Sequence, residues 1–389
     1  MKNINPLSGL SRTSLFLFSF LLSYSVSIAQ STPFIDTAIF SDAAHHWYDI
    51  SEKGNYINPR PGHPKYNASQ IENIADNILL YQKDNGGWPK NYDMQAILSA
   101  EQKDSLLLAK KILNTTFDNR TIYSQIGYLA KAYSYIHKDA YKAAVLKGLD
   151  FIIAAQYSNG GWPQYFPLEK DYSRHITFND DAYTGIMYLL KDITEGKPEF
   201  AFLDNAYKTK MQQAFDKGLD CILKTQINDA GKPTAWCQQY DEVSLEPAWA
   251  RKFEPASICN GESVDIVLLL MSIKHPSKAV IDAVQNAVVW FNESKITGIS
   301  VKTIPAPEMV TPYRISTTDK VVVNDEMAPP IWTRYYELKT HRPLFCNRDS
   351  KLVYSLAEVQ RERRDGYAWY TYAPQKVLEK YSGWAKKYL

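Results

Sequence analysis

The chain has 389 residues, with 44 Lys and Arg against 42 Asp and Glu, for a net charge of +2. That balance provides no broad positive face and argues against nucleic-acid binding, while the length allows a large core in one domain or two. The 27 Tyr and 9 Trp are a heavy aromatic load; most belong in a core, but such rings also suit a cleft that must be apolar and hydrogen-bonding at once.

Residues 1–29 read as a cleavable secretory signal. Lys2 and Arg12 supply its positive region, Leu15 to Val26 its apolar run, and Ser27-Ile28-Ala29 a small-x-small cleavage site before Gln30. The apolar run is too short and serine-rich to span a membrane. The mature chain is therefore expected to be exported, to the periplasm or the medium, with no membrane attachment. Loss of Lys2 and Arg12 leaves 42 charges of each sign. The four cysteines (Cys221, Cys237, Cys259, Cys346) allow three pairings in an oxidising compartment, with free buried thiols an equal alternative. No pair has Cys-x-x-Cys spacing, which disfavours zinc. No oligomerisation signal stands out, so a monomer is expected.

Residues 30–66, rich in Pro, Asn and Gly, read as a wrapped or loose lead-in. Residues 67–297 then read as a helical-repeat body. Ser69 to Gln82 has Ile71, Ile74, Ala75, Ile78 and Leu79 on one helical face. It ends in Asn85-Gly86-Gly87-Trp88-Pro89, and the same loop returns as Asn159-Gly160-Gly161-Trp162-Pro163. A looser third copy runs from Gln226 to Trp236 and Cys237, so Trp88, Trp162 and Trp236 are spaced by 74 residues. Each copy follows a Gln that closes an apolar run (Gln82, Gln156, Gln226). Glycine lets the backbone leave a helix through positive φ, and proline prevents its return. The intervening helices are expected near 101–113, 122–135, 139–156, 182–193, 205–226, 263–273 and 278–291. Helix pairs at this long period suggest a mainly α, (α/α) toroid-like body with successive loops around one mouth. From residue 298 to 389 prolines cluster, Lys320 to Asn324 looks like a short strand, and this smaller irregular or β region is expected to complete the cleft.

Two acidic loops sit at matching places, each before the first helix of its repeat: Asp118-Asn119 and Asn179-Asp180-Asp181. Helix capping explains any one such residue well; convergence of both on one mouth explains the pair better. Asp118, Asp180 and Asp181, with amide oxygens beside them, would make a hard oxygen site suited to Ca²⁺. The proline-bounded Pro247 to Pro255 segment carries Trp249, Arg251, Lys252 and Glu254, which could stack on a sugar ring and fork onto a carboxylate. Lys320, Arg334 and the Arg361 to Trp369 run form a late basic set.

The ordered set Asn-Gly-Gly-Trp-Pro, Phe117 to Asn119, Thr177 to Asp181, Ala248 to Pro255, Thr333 to Leu338 and Arg363 to Tyr370 resembles the family-ten pectate lyases, from about residue 66 to the end. The resemblance implies a helical toroid-like fold with a cleft, and calcium-dependent β-elimination of polygalacturonate. By position it implies that Asp180 binds calcium, that Asp118 with Asn119 lies beside substrate and metal, and that Arg251 takes the C5 proton. Arg334 and Lys320 would hold uronate carboxylates. Two alternatives stand beside it. One is a glycoside hydrolase on the same scaffold pairing Asp180 or Asp181 with Glu254; the other is a secreted pectin-binding protein that uses Ca²⁺, Trp249 and Arg251 for capture alone.

Overall fold

Helices dominate the computed structural model, which describes residues 34–49 and 62–389. The secretory signal of residues 1–29 lies outside the described residues. The lead-in, expected to be wrapped or loose, carries a helix, α1 (Ser41–Asp49). The periodic runs form α2 (Ile71–Tyr81), α3 (Ala100–Leu108), α4 (Tyr123–Ile136), α5 (Asp139–Ala155), α6 (Ala182–Thr194), α7 (Asn205–Thr225), α8 (Asn260–Met271) and α9 (Lys278–Glu293). α3 is shorter than its sequence reading because a 3-10 turn takes over at Ala109–Lys111. The C-terminal third adds α10 (Arg361–Gly366) and α11 (Ala373–Tyr388), which packs against α8 and α9. No helix among the described residues is long and apolar enough to cross a membrane.

The helices form two interleaved series. α2, α5, α7 and α9 each lead into a Trp loop, whereas α4 and α6 each follow an acidic loop, α8 follows the short strand Ile258–Cys259, and these three pack on α5, α7 and α9 respectively. The glutamines explain how the first series is held together. Gln82 caps α2 and donates through its amide to the carbonyls of Gly86, in its own loop, and Ala144, in α5. Gln156 does the same with Gly160 and with Ala214 of α7, and Gln226 with Thr234 and Ala283 of α9. Each amide thus bridges a carbonyl of its own loop to a carbonyl inside the next helix of the series, and so ties one repeat to the next.

The tryptophans are pegs in the core, not cleft rings. Trp88, Trp162 and Trp236 are at most 1% exposed, and each indole N–H donates to a carbonyl of the preceding helix: Ile78, Ile152 and Ile222. Gly160 is required twice over. Its φ is +94°, and a Cβ there would lie 2.0 Å from the Lys217 carbonyl oxygen of α7.

A fourth copy is hidden in the C-terminal region. Trp332 is fully buried and its indole donates to Phe291 of α9, as the other three do to their helices. Between Phe291 and Trp332 stands a long antiparallel hairpin, Ile299–Val310 with Ile315–Asn324. α10 fastens this hairpin. Arg364 forks onto Asp319, and Asp365 accepts from Ser316 and Thr318 and pairs with Arg314. That accounts for the charged run Arg361 to Asp365, which the sequence reading left among the basic candidates. All four cysteines are buried with free thiols.

Candidate active site

The loops of successive repeats meet through paired backbone bonds. Thr116, Thr177 and Cys259 donate to the carbonyls of Trp88, Trp162 and Trp236; the next residues, Phe117, Phe178 and Asn260, donate to Gln164, Gln238 and Arg334 of the following Trp loop. The residue two positions after the Trp accepts this bond in three copies, as Gln164, Gln238 and Arg334, and Lys90 holds the same offset in the first loop. In the acidic loops the conformation repeats too. Asn119 and Arg120 have φ of 50° and 61°, and Asp180 and Asp181 have 51° and 58°. Asn and Asp tolerate this left-handed region better than most residues, and Arg120 is held there at a cost. The double turn sends adjacent side chains to opposite sides. Asn119 and Asp180 line one cavity, while Arg120 and Asp181 line another between α4, α6 and α8.

The first cavity is polar and encloses about 330 Å³. Asp118, Asn119, Asp180 and Arg251 line it together, with Lys90, Gln164, Tyr172, Gln239 and Glu254. Lys90 donates to Asp118 at 2.8 Å. Burial alone would lower the Lys90 pKa; the Asp118 charge and the Tyr165 phenol outweigh it and hold the ammonium above its ordinary value. Arg334 pairs with Glu262 at 3.0 Å and lies 4.8 Å over the Tyr367 ring. Arg251 forks onto Glu254, its Nε donating at 2.8 Å and its Nη2 to the second oxygen. Burial works against the Arg251 charge, but the Glu254 hydrogen bonds and charge prevail and raise its pKa. For Glu254, 2% exposed, burial pushes upward and the same pair holds the carboxyl below its usual range. Tyr367 donates to Glu254 at 3.3 Å from below, and the Arg363 guanidinium stacks 4.1 Å from the Tyr367 ring.

Negative charge is left over. Burial first, then the charges of Asp118 and Glu262, push Asp180 up to about 7, Arg334 opposing. Among the described residues, Asp118 Oδ1 and Glu262 Oε2 are enclosed without a hydrogen-bond partner, as are the amide oxygens of Gln164 and Gln239. Enclosed oxygens of this kind are costly unless something meets them, and carboxylate and amide oxygens are the donor set of a hard cation. A second cavity of about 470 Å³ shares Tyr172 and Arg251 with the first and continues past Lys252, Phe253, Tyr313 and Arg348.

Not every sequence candidate arrives here. Asp181 faces the other cavity and pairs with Arg120 at 3.3 Å, so the left-handed turn separates it from Asp118 and Asp180. Lys320 sits on the hairpin, donates to the Tyr367 carbonyl and lines a cavity with Tyr354 and Tyr370. Trp249 is 39% exposed on the Arg251 loop and is not among the cavity-lining residues. Lys90 and Gln164 were missed, although their shared offset from Trp88 and Trp162 was in the repeat. One further carboxylate-rich group, His175, Asp241 and Glu242, lies within metal-binding reach of itself. Its Glu242 is already met by Arg174 and His175, and Asp241 by two backbone N–H groups.

A family model described as pectic acid lyase matches residues 82–378, most of the chain and every part of this cavity except α1. The chain belongs to the pectic acid lyase family. Among solved structures, the family 10 polysaccharide lyase from Cellvibrio cellulosa is 28% identical, with a TM-score of 0.67 over 81% of this chain and 92% of that one. A mutant of the same lyase, solved in complex with trigalacturonic acid, is 27% identical with the same TM-score and coverage. No curated protein matches in sequence. The protein is thus a pectate lyase enzyme, with a mainly helical fold. The hydrolase alternative falls with this, and the pairing of Glu254 to Arg251 gives the physical reason: a carboxylate so held is a poor acid and a poor base.

Proposed function

We propose that this pectate lyase is exported and cleaves α-1,4-linked polygalacturonate by calcium-dependent β-elimination, with Arg251 as the base. The observation that carries the reading is the single cavity in which a carboxylate oxygen of Asp118 without a partner among the described residues, Asp180 with its carboxyl pushed up by burial and neighbouring charge, and Arg251 stand together. Asp118 and Asp180 would hold calcium, with the amide oxygens of Gln164 and Gln239 available beside them. Calcium, when bound, places positive charge at the uronate carboxylate and so acidifies the C5 proton. Arg334 and Lys90 add fixed cations for the charge that develops. Asn119 donates from the same wall, and Trp249, exposed on the Arg251 loop, is available to stack on a neighbouring sugar. Lys252 and Arg348 carry the cationic lining into the adjoining cavity, which suits a polymer with a carboxylate on every unit. The ligand bound to the Cellvibrio cellulosa mutant, trigalacturonic acid, supports the same substrate class.

The Glu254 pair works against Arg251 as a base, since it favours the charged guanidinium. Proton abstraction therefore requires that bound cation and substrate weaken or outweigh the pair. We further read the two helix series as an (α/α) toroid-like body over residues 67–297, with residues 298–389 completing the cleft, acting as a monomer. Incubation with polygalacturonate tests the reading. Absorbance from a 4,5-unsaturated uronate should rise with calcium and stop with chelator. New reducing ends without that absorbance would overturn it.

A further inference from the structure

α1 lies upstream of the stretch that the family model matches, yet two of its side chains line the catalytic cavity. Its anchoring is built into the sequence. Phe40, just before it, and Ala43 and Trp47 within it are spaced by three and four residues and are at most 6% exposed. Phe40 packs 5.5 Å from the Tyr128 ring of α4, and Trp47 meets His63 edge-on at 5.5 Å. With that face pinned, Asp42 and His46, one helical turn apart, are delivered to the cavity beside Asp118, Asp180 and Arg251.

His46 has unused hydrogen-bonding capacity there. Its Nδ1 is enclosed and has no hydrogen-bond partner among the described residues. Its Nε2 lies 3.8 Å from Asp42, beyond hydrogen-bond length. Enclosing a ring nitrogen without a partner is unfavourable unless the site is completed by a ligand.

We propose that α1 is a wall of the substrate cleft and that the partly exposed His46 ring turns its Nδ1 into this cavity to hydrogen-bond a hydroxyl of the sugar unit there, making it a substrate-binding residue. The assignment rests on the pectate-lyase reading above. A hydroxyl fits better than a uronate carboxylate, because Asp42 one turn away would repel an anion but accept from a second hydroxyl. The carboxylate of the same unit is served by the fixed cations Arg334 and Lys90.

The test uses the full chain, with polygalacturonate and calcium, and begins with wild-type kinetics. His46→Ala should raise KM about 10-fold, as loss of roughly one hydrogen bond predicts. Its kcat should stay within about twofold, and calcium affinity by calorimetry should be unchanged. His46→Asn, which can place an amide group near the Nδ1 position, should recover most of the lost KM. Asp42→Asn should raise KM in the same direction, and carries the test if His46→Ala melts early. An unchanged KM in His46→Ala, or His46→Asn as impaired as His46→Ala, would overturn the assignment. Failure of the underlying reading would show separately, as wild-type protein that forms no unsaturated product, and would take this assignment with it.

Discussion

Arg251 and Glu254 set the tension of the site at the scale of single residues. Their pair keeps the arginine charged, and the proposed role needs it neutral for an instant. Replacing Glu254 by Gln removes the charge that holds the guanidinium proton. If Arg251 is the base, the rising acid limb of the kcat/KM profile should then move to lower pH, whatever happens to the maximum rate. An unmoved limb would separate the two residues functionally. Asp180 has the opposite imbalance. Its folded-state pKa, about 7, stands above the ordinary carboxyl value because burial and neighbouring carboxylates oppose its charge. A raised folded pKa means that the group's contribution to stability is present below its unfolded pKa and is lost as pH rises through about 7. Asp180→Asn, neutral at every pH, should therefore raise the melting temperature of the metal-free protein at pH above that range and have no such effect in acid. It should also remove the rise in melting temperature that calcium gives the wild type. A metal-free Asn variant that melts no higher than wild type would contradict this reading of the charge.

Elements repeat because a few residues solve the same problem each time. A Gln closes the helix in three copies, a Gly passes against the backbone of the next helix in the first two, and in all four a Trp plugs the gap and returns its N–H to the first helix. Gly160→Ala combines a positive φ with a Cβ inside the Lys217 carbonyl, so it should destabilise by more than about 1 kcal/mol in urea unfolding. Gly196 also has positive φ, but nothing lies near its Cβ, and Gly196→Ala should cost less. Equal costs would mean that the close approach does not matter. The periodicity of α2, α5 and α7 was legible because each buries one face and ends at the same loop. The fourth Trp was not. Ten residues separate Trp162 from its carbonyl partner, whereas 41 separate Trp332 from Phe291, the hairpin being inserted between. Once that insertion is removed, Arg334 falls into register with Lys90, Gln164 and Gln238, which explains why a residue so late in the chain reaches the mouth.

The site is assembled from the whole molecule. Asp118 and Asp180 come from two acidic loops, Arg251 from a third loop, and Asp42 and His46 from α1; Arg334, from beyond the hairpin, reaches the cavity's edge at Asn179, 3.4 Å away. Asp118, Asp180 and Arg251 could be read in sequence because their loops carry local motifs. Asp181 was misplaced because its neighbour's left-handed backbone turns it away, and Lys320 because a strand's position in space is set by what fastens it, here Asp319 to Arg364. Asp42 and His46 have no local signal; only the packing of Phe40 and Trp47 brings them in. The central claim is that this assembly performs elimination with Arg251 as base, and steady-state kinetics of Arg251→Ala test it most directly. The account predicts a fall in kcat of at least about 10³-fold with calcium affinity and melting temperature kept. Turnover within about tenfold of wild type would contradict it.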